Sequence, residues 1–252
     1  MNTNSMEIPD FVTLLIPPEN QAAFALLPLE HQFEMIMTLC DLSEKYGAYL
    51  CINDTDHTLL PSLSETKTIQ KELRKMPRSL HRIIKNSASH FFFFSGRGIT
   101  DINKFHHLKG MTPRGWPEHL KWDTTPGAGA AFPGDCTVVV SNMLRENHGS
   151  INLVLHEHIH TLEMAVKGQF GYMLSESPAW IEIHNTVNWK MDYLANSANE
   201  SFCESFTQYL HSSISRENLD IRVKDYLTEI LRQLSKIGFA TITDELLENL
   251  TN

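Results

Sequence analysis

The chain has 252 residues, of which 42% are hydrophobic, and it carries a formal net charge of −9 at pH 7. This length and apolar content predict one unit with a single substantial core. The negative charge and the absence of any run of five basic residues argue against a nucleic acid as principal partner, and no apolar stretch reaches the ~18 residues of a membrane span.

The N-terminal part, residues 1–60, is predicted to be mainly helical. Its first 20 residues contain neither a basic region nor a small-residue cleavage site, so no ordinary secretory leader is predicted. We expect synthesis in the cytoplasm, with non-classical secretion or delivery into a host cell left open. The apolar periodicity then predicts an amphipathic helix over 32–46 and a strand over 48–53.

Helices and short strands alternate in the next part of the chain. One helix is predicted to end near Lys75, and a second is predicted from Pro77 to about Lys85. The aromatic run HFFFF, which begins at His90, predicts a buried strand. The glycine and proline residues between 96 and 134 predict long loops around short strands.

TVVVSN, at residues 137–142, predicts the last strand before the most informative segment of the chain. This strand could border a cleft and pair with an extended peptide, or it could be an ordinary core strand. Further on, Ser177 and Pro178 predict the start of a helix whose Trp180 packs against the segment 151–166. A pair of helices is predicted at 217–237 and 244–250, at the end of the chain.

The chain has four widely spaced cysteines, Cys40, Cys51, Cys136 and Cys203, and no C-x-x-C motif. Each is flanked by apolar residues. We therefore expect reduced and mostly buried thiols rather than disulfides.

The segment 151–166 contains the motif H-E-x-x-H, formed by His156, Glu157 and His160. On a helix the two histidines lie about 40° apart, so both imidazoles can reach one metal ion with Glu157 beside them as a general base. His158 points away from this face and is predicted to be a core or surface histidine. A buried apolar stripe of Ile151, Leu155, Ile159, Leu162 and Val166 is predicted to lie ~80° or more away from the two motif histidines.

A zinc peptidase site needs a third protein ligand and an open position for water. The extended motif H-E-x-x-H-x-x-G-x-x-H is not present, because Glu163 and Val166 replace its glycine and third histidine. A downstream carboxylate is therefore the better candidate, and Glu163 is expected at the rim of the cleft. The candidates are Glu163, Glu176, Glu182, Glu200 and Glu204.

Glu200 begins a predicted amphipathic helix, ESFCESFTQYLHSS, which has Glu204 and His211 on the same side as Glu200. Such a helix could direct carboxylates towards a metal ion. Ser197 and Glu200 also have the spacing of a capping box, so Glu200 could merely satisfy the helix terminus. From these residues alone both interpretations remain open.

The order of H-E-x-x-H, Tyr193, Glu200 and Glu204 resembles the catalytic domain of the anthrax lethal factor family, which includes the secreted Pro-Pro endopeptidases. The resemblance covers residues 77–213, with C-terminal helices in 214–252, and residues 1–252 are then a single catalytic unit. It implies an α+β, zincin-like metallopeptidase: a small mixed sheet, followed by a helical C-terminal half that carries the H-E-x-x-H helix and a glutamate helix.

The resemblance also implies the roles of individual residues. His156, His160 and Glu200 would bind one zinc ion per chain, and Glu157 would be the general base. Tyr193 would face the oxyanion, although it could also be an ordinary packing residue. Glu204 would contact the zinc ligands without binding the zinc ion itself.

The sequence thus predicts a zinc-dependent endopeptidase that hydrolyses protein or peptide substrates with water activated by its general base. Two alternatives remain. One is a zinc aminopeptidase or another zinc hydrolase, in which Glu163 or Glu176 could bind the free amine of a substrate. The other is a non-catalytic protein-binding module on the same fold.

Overall fold

A computed structural model describes residues 15–16, 18–50, 60–87, 89–113, 118–132, 136–144 and 149–237. Its helices in these ranges are α1 (Pro18–Ala25), α2 (Leu29–Tyr46), α3 (Leu63–Leu73), α4 (Arg78–Lys85), α5 (Leu153–Phe170), α6 (Pro178–Thr186), α7 (Asp192–Ala195), α8 (Ala198–His211), α9 (Ser213–Glu217) and α10 (Ile221–Ile237). The strands are β1 (Ala48–Leu50), β2 (His90–Phe94), β3 (Gly127–Phe132) and β4 (Cys136–Val140). Short 3-10 helices connect β2 to β3 and follow β4.

The four strands form one mixed sheet in the order β1-β2-β4-β3. β1, β2 and β4 are parallel, and β3 is antiparallel to β4. β4 is therefore paired on both sides, and Val138 and Val140 are buried. This confirms the core-strand interpretation of TVVVSN and excludes the other, because a strand with two neighbours has no free edge for a peptide.

The aromatic and β-branched strands place the sheet between two apolar layers. Phe91 and Phe93 of β2 pack in one cluster with residues of α2 and α3, including Leu39 and Ile69. Phe94 packs on the other face with residues of β4 and the 3-10 segments. Alternating side chains of a strand point to opposite faces, so both faces of β2 are covered.

Helix α5 starts later than predicted. The side chain of Asn152 accepts a hydrogen bond from the backbone N–H of Leu155 and so caps the helix, which begins at Leu153. Ile151 precedes this cap and is 48% exposed, so its assignment to the apolar stripe was wrong. The other four residues of the predicted stripe are buried.

The C-terminal helices enclose the other side of α5. Trp180 of α6 packs edge-on against Phe202 of α8, with ring centroids 5.2 Å apart, and donates its indole N–H to the carbonyl of Ala198. The same apolar cluster includes Leu162 of α5, so Trp180 belongs to the core that buries that helix, as expected. The core of this half therefore holds α5 and α8 together.

Several predicted boundaries shift. The helix predicted over 217–237 begins later, as α10 at Ile221, because the short helix α9 ends at Glu217. The predicted strand 48–53 is described only as Ala48–Leu50, because residues 51–59 lie outside the described ranges, as does the helix predicted at 244–250. Cys40 and Cys203 are free thiols, as expected, with Cys203 buried and Cys40 half-buried, and Cys51 lies outside the described residues. In the described part of the chain, no helix combines the length and apolar character needed to cross a membrane.

Candidate metal centre

The candidate metal centre lies where α5 contacts α8. Nε2 of His156 is 3.2 Å from Nε2 of His160 and 3.2 Å from Oε2 of Glu200. Nε2 of His160 is 3.6 Å from the same carboxylate oxygen. Among the described residues, no other group of three histidine, cysteine or acidic side chains converges in this way. The structure thus brings together Glu200, of the five candidate carboxylates, with the two motif histidines.

The spacing of the three donor atoms fits a tetrahedral zinc ion. Zinc bonds of about 2.0 to 2.1 Å hold neighbouring ligand atoms about 3.3 to 3.4 Å apart. The observed separations, 3.2, 3.2 and 3.6 Å, lie around that value. Two imidazole nitrogens and one carboxylate oxygen are also a donor set that zinc accepts, with a fourth position left for water.

Helix α8 begins in a way that allows Glu200 to take part. The hydroxyl of Ser197 accepts a hydrogen bond from the backbone N–H of Glu200 and caps the helix. The carboxylate of Glu200 points instead to the two histidines. Ser197 therefore satisfies the helix terminus, and the side chain of Glu200 is free to act as a ligand.

The second nitrogen of each imidazole also meets a side chain of α8. Nδ1 of His156 is 3.2 Å from Oε2 of Glu204, an ion-pair contact whose angle departs from that of a hydrogen bond. Nδ1 of His160 is 3.3 Å from Sγ of Cys203, at hydrogen-bond geometry. The other carboxylate oxygen of Glu204, Oε1, accepts a hydrogen bond from the backbone N–H of Ile151, which fixes the side chain in place.

The charges around the donor atoms favour a bound cation. Burial alone would lower the pKa of His156, but its contacts with the carboxylates of Glu200 and Glu204 and the charge of Glu157 raise it to about 10. Burial alone would raise the pKa of Glu200, but the two histidines hold it well below its usual range. Protons and metal ions compete for such groups, so a site with this preference for positive charge suits a metal ion.

Glu157 lies beside the donor atoms in a buried position. Its Oε2 has no hydrogen-bond partner among the described residues. Burial raises the pKa of this carboxyl to about 7, although the charges of His156 and His160 oppose the shift. A carboxyl that titrates near neutral pH can both accept and return a proton.

Gly127 of β3 has no side chain, and this leaves room for the carboxyl of Glu157. A Cβ atom at position 127 would lie 2.6 Å from Oε1 of Glu157, closer than two atoms can pack. The edge strand of the sheet and the motif glutamate therefore touch directly.

Tyr193 lies in the short helix α7 and faces the acidic side of the site. Its pKa is raised by burial and by the charges of Glu204, Glu200 and Glu157. The phenol therefore keeps its proton and remains a hydrogen-bond donor. Gly149 lies against the ring, since a Cβ there would be 3.5 Å from the hydroxyl oxygen.

His158 belongs to the core, as one of the two predicted options had it. It is fully buried, its Nε2 is 3.1 Å from Nδ1 of His81, and its ring packs edge-on against Phe91. Burial lowers the pKa of His158 well below its usual value, with a further contribution from His81. This imidazole is a neutral packing residue.

The expectation that Glu163 lies at the rim of the cleft was wrong. Glu163 is fully buried and accepts hydrogen bonds from the backbone N–H groups of Leu174 and Ser175 and from the amide of Asn199. The 3-10 turn Leu174–Glu176 supplies the two backbone donors, and α8 supplies the amide of Asn199. Glu163 is thus committed to holding that turn and is not available to bind the amine of a substrate.

Three residues in or next to the site were not predicted from the sequence to belong to it. Asn152 could have been found, because asparagine before an apolar helical run is a typical N-cap. Cys203 was predicted only to be one of four reduced and mostly buried thiols. Gly127 had no signal, since its contact with Glu157 joins residues that are distant in sequence.

The profile of the anthrax toxin lethal factor family, described as its N- and C-terminal domain, matches residues 60–223. This is more than half of the chain and includes every residue of the candidate metal centre. The chain belongs to the anthrax toxin lethal factor family. The resemblance seen in residues 77–213 is confirmed and extends on both sides.

Two curated relatives are Pro-Pro endopeptidases. The protein from Paenibacillus alvei is 29% identical over 164 residues, which are 62% of this chain and 71% of that protein. The protein from Clostridioides difficile strain 630 is 30% identical over 112 residues, 44% of this chain and 50% of the relative.

A solved structure of the Pro-Pro endopeptidase from Paenibacillus alvei is similar to this fold, with a TM-score of 0.60 and 25% identity. The similarity covers 75% of this chain and 98% of that structure. With the family match and the curated relatives, it supports a peptidase function for this chain.

Proposed function

We propose that the protein is a zinc-dependent endopeptidase that hydrolyses peptide bonds in protein or peptide substrates. One observation carries the proposal. The donor atoms of His156, His160 and Glu200 form a triangle with edges of 3.2, 3.2 and 3.6 Å, next to the buried carboxyl of Glu157. Oε2 of that carboxyl has no hydrogen-bond partner among the described residues. An unpaired buried oxygen costs stability, which favours a role in proton transfer.

The roles of the residues follow from their positions. His156, His160 and Glu200 hold the zinc ion, which when bound would acidify a water molecule and polarise the scissile carbonyl. The carboxylate of Glu157 accepts a proton from the attacking water and delivers it to the leaving amine nitrogen. Tyr193 donates its hydroxyl hydrogen to the developing oxyanion. Glu204 contacts Nδ1 of His156 and keeps that ring oriented.

The position of β3 supports a zincin-like arrangement and suggests how an extended substrate binds. Within the described ranges β3 pairs with β4 alone, so its other side offers unpaired backbone groups. Gly127 at its start touches Glu157. A peptide that added to this edge as a further strand would lie alongside the proposed base. In this protein β3, rather than TVVVSN, is the strand suited to that task.

The hydrogen bonds that Glu163 accepts within the fold favour an endopeptidase over an aminopeptidase. An aminopeptidase needs a group that binds the free amine of its substrate. Glu163 was one of two candidates, and its oxygens accept hydrogen bonds from Leu174, Ser175 and Asn199 instead. The other, Glu176, accepts a hydrogen bond from the backbone N–H of Met173.

The proposal is tested with peptides blocked at both ends, which an aminopeptidase cannot cut. Because the relatives are Pro-Pro endopeptidases, the set should include peptides with a Pro-Pro bond. We expect cleavage by the zinc-loaded protein and loss of cleavage after chelation, followed by recovery when zinc is restored. Failure to cut any blocked peptide in a broad library, while free peptides are trimmed, would contradict the endopeptidase assignment.

Glu157→Gln is the matched variant for this assay, because glutamine keeps the size of the side chain but cannot take up a proton. We expect cleavage to fall by at least about 10²-fold while zinc remains bound. Full activity of a folded Glu157→Gln protein would remove Glu157 as the base.

A further inference from the structure

Helix α8 contacts both imidazoles of the metal centre at both of their nitrogens. Oε2 of Glu200 faces Nε2 of His156 and Nε2 of His160, at 3.2 and 3.6 Å. Cys203 and Glu204 follow one turn later on the same face. Sγ of Cys203 meets Nδ1 of His160 at 3.3 Å, and Oε2 of Glu204 meets Nδ1 of His156 at 3.2 Å. Cys203 thus has the same relation to His160 that Glu204 has to His156.

The chemistry of a metal-binding histidine determines which atom donates the hydrogen bond between His160 and Cys203. A neutral imidazole that offers the lone pair of Nε2 to a metal ion carries its proton on Nδ1, and that N–H requires an acceptor. A thiol sulfur is a weak but competent acceptor. Cys203 and the His160 ring are buried, so solvent does not take its place.

The surroundings of Cys203 hold its sulfur in position. It belongs to the apolar cluster that includes Phe202 and Phe206, and all three side chains are fully buried. Its helix is anchored two turns away by Tyr209, whose hydroxyl is 3.0 Å from the hydroxyl of Thr228 in α10. A close-packed sulfur constrains the His160 ring more strongly than a mobile group would.

We propose that Cys203 is a positioning residue of the metal centre, whose Sγ accepts a hydrogen bond from Nδ1–H of His160 and thereby directs Nε2 to the metal ion. This role rests on the proposed function, since it concerns the same zinc site. A thiol is a weaker acceptor than a carboxylate. The two histidine ligands are therefore held unequally, His156 by a charged group and His160 by a neutral one.

The test measures zinc affinity by competition with a chelator of known strength. Cys203→Ala removes the acceptor, and we expect the zinc dissociation constant to rise about 10-fold, as for other partners of ligating histidines. Cys203→Ser keeps an acceptor of similar size and should stay close to the wild-type affinity. Cys40→Ala is the matched control, because Cys40 is a free thiol of α2 outside the metal centre, and it should leave zinc affinity unchanged.

Melting temperatures of the metal-free proteins separate positioning from packing. A cysteine that only fills space would lower the melting temperature when changed to alanine and leave the zinc dissociation constant unaltered, and that result would overturn the proposal. If Cys203→Ala does not fold, Cys203→Val replaces it, because valine fills the space and cannot accept a hydrogen bond. The same increase in the dissociation constant is then expected.

A second readout is the tautomer of His160, observed by ¹⁵N NMR of labelled, zinc-loaded protein. We expect an Nδ1 proton protected from exchange with water in the wild type and in Cys203→Ser, and faster exchange in Cys203→Ala. Equal exchange in all three would overturn the proposal. A wild-type protein that binds no zinc would instead overturn the proposed function together with this role, and that outcome is visible before any variant is made.

Discussion

The two faces of α5 carry the same kind of residue in opposite environments. His156 and His160 face α8, where a carboxylate oxygen lies within 3.2 and 3.6 Å of their Nε2 atoms. His158 faces α4 and β2, where it meets the imidazole of His81 and the ring of Phe91. On the first face the pKa of His156 is raised to about 10 by carboxylates, despite burial. On the second, burial and His81 lower the pKa of His158.

This difference shows that the neighbouring element, and not the motif alone, determines what each histidine does. All three imidazoles are almost fully buried, so exposure does not distinguish them. Charged partners do: α8 brings Glu200 and Glu204 to one face, while α4 brings a neutral imidazole to the other. The candidate metal centre therefore depends on the contact between α5 and α8.

The largest expected effect comes from removing one of the three proposed ligands on the first face. His156→Ala, His160→Ala or Glu200→Ala should lower the zinc content of dialysed protein from about one ion per chain to near zero and abolish cleavage, because two remaining donors hold zinc weakly. Metal analysis and circular dichroism on the same preparation measure binding and folding.

The second face supplies the control. His158→Ala should keep its zinc and lose stability, since it removes a packed ring and leaves Nδ1 of His81 without its partner. Zinc at the wild-type level in a folded Glu200→Ala protein would mean that another group completes the site. Loss of zinc from a folded His158→Ala protein would mean that the two faces are not independent.

A smaller effect is expected at the edge of the site, at Tyr193. If its hydroxyl stabilises the oxyanion, Tyr193→Phe should lower kcat by roughly 10- to 10³-fold with little change in KM, because this hydrogen bond forms mainly in the transition state. If the side chain only packs, the same change should cost about 1 kcal/mol of stability and leave kcat near the wild type. Melting temperature and kcat from one preparation decide, and a fully active, destabilised variant would remove Tyr193 from the catalytic residues.

The sequence predicted the elements of the site better than their contacts. Helical periodicity was sufficient to place His156 and His160 on one face of α5 and Glu200 on a later helix, because these depend on spacing along the chain. The aromatic run HFFFF also predicted the strand at His90–Phe94, and Pro77 predicted the helix that begins after it.

The misplaced residues depend on tertiary contacts. Glu163 was expected at a cleft rim because its helical position is next to the ligands, but the turn Leu174–Glu176 covers it with backbone donors. The strand TVVVSN was a possible edge because its sequence does not show that β3 pairs with its other side. Ile151 was lost from the apolar stripe because Asn152 caps the helix after it. Periodicity assigns a side chain to a face, and only the fold determines what lies opposite that face.

The smallest expected effect concerns the second face and the response of stability to acid. Burial lowers the pKa of His81 to about 4, although its hydrogen bonds to the backbone of Leu73 and Met76 oppose this shift. The unfolded chain binds a proton at this residue near its ordinary pKa of about 6.5. The contribution of His81 to stability is therefore complete above pH 6.5 and is lost as the pH falls towards 4, by at most about 1.4 kcal/mol per pH unit.

His81→Gln isolates this contribution, because a glutamine amide can donate to the carbonyl of Leu73 and does not titrate. Urea unfolding of the metal-free proteins, which avoids acid release of zinc, should show the wild type losing stability relative to His81→Gln between pH 6.5 and 4. His106→Gln, at an exposed histidine, is the matched control for the substitution itself. Parallel profiles for wild type and His81→Gln would mean that the imidazole pair of the second face takes up a proton without cost, and the contrast between the two faces of α5 would then hold for metal binding but not for charge.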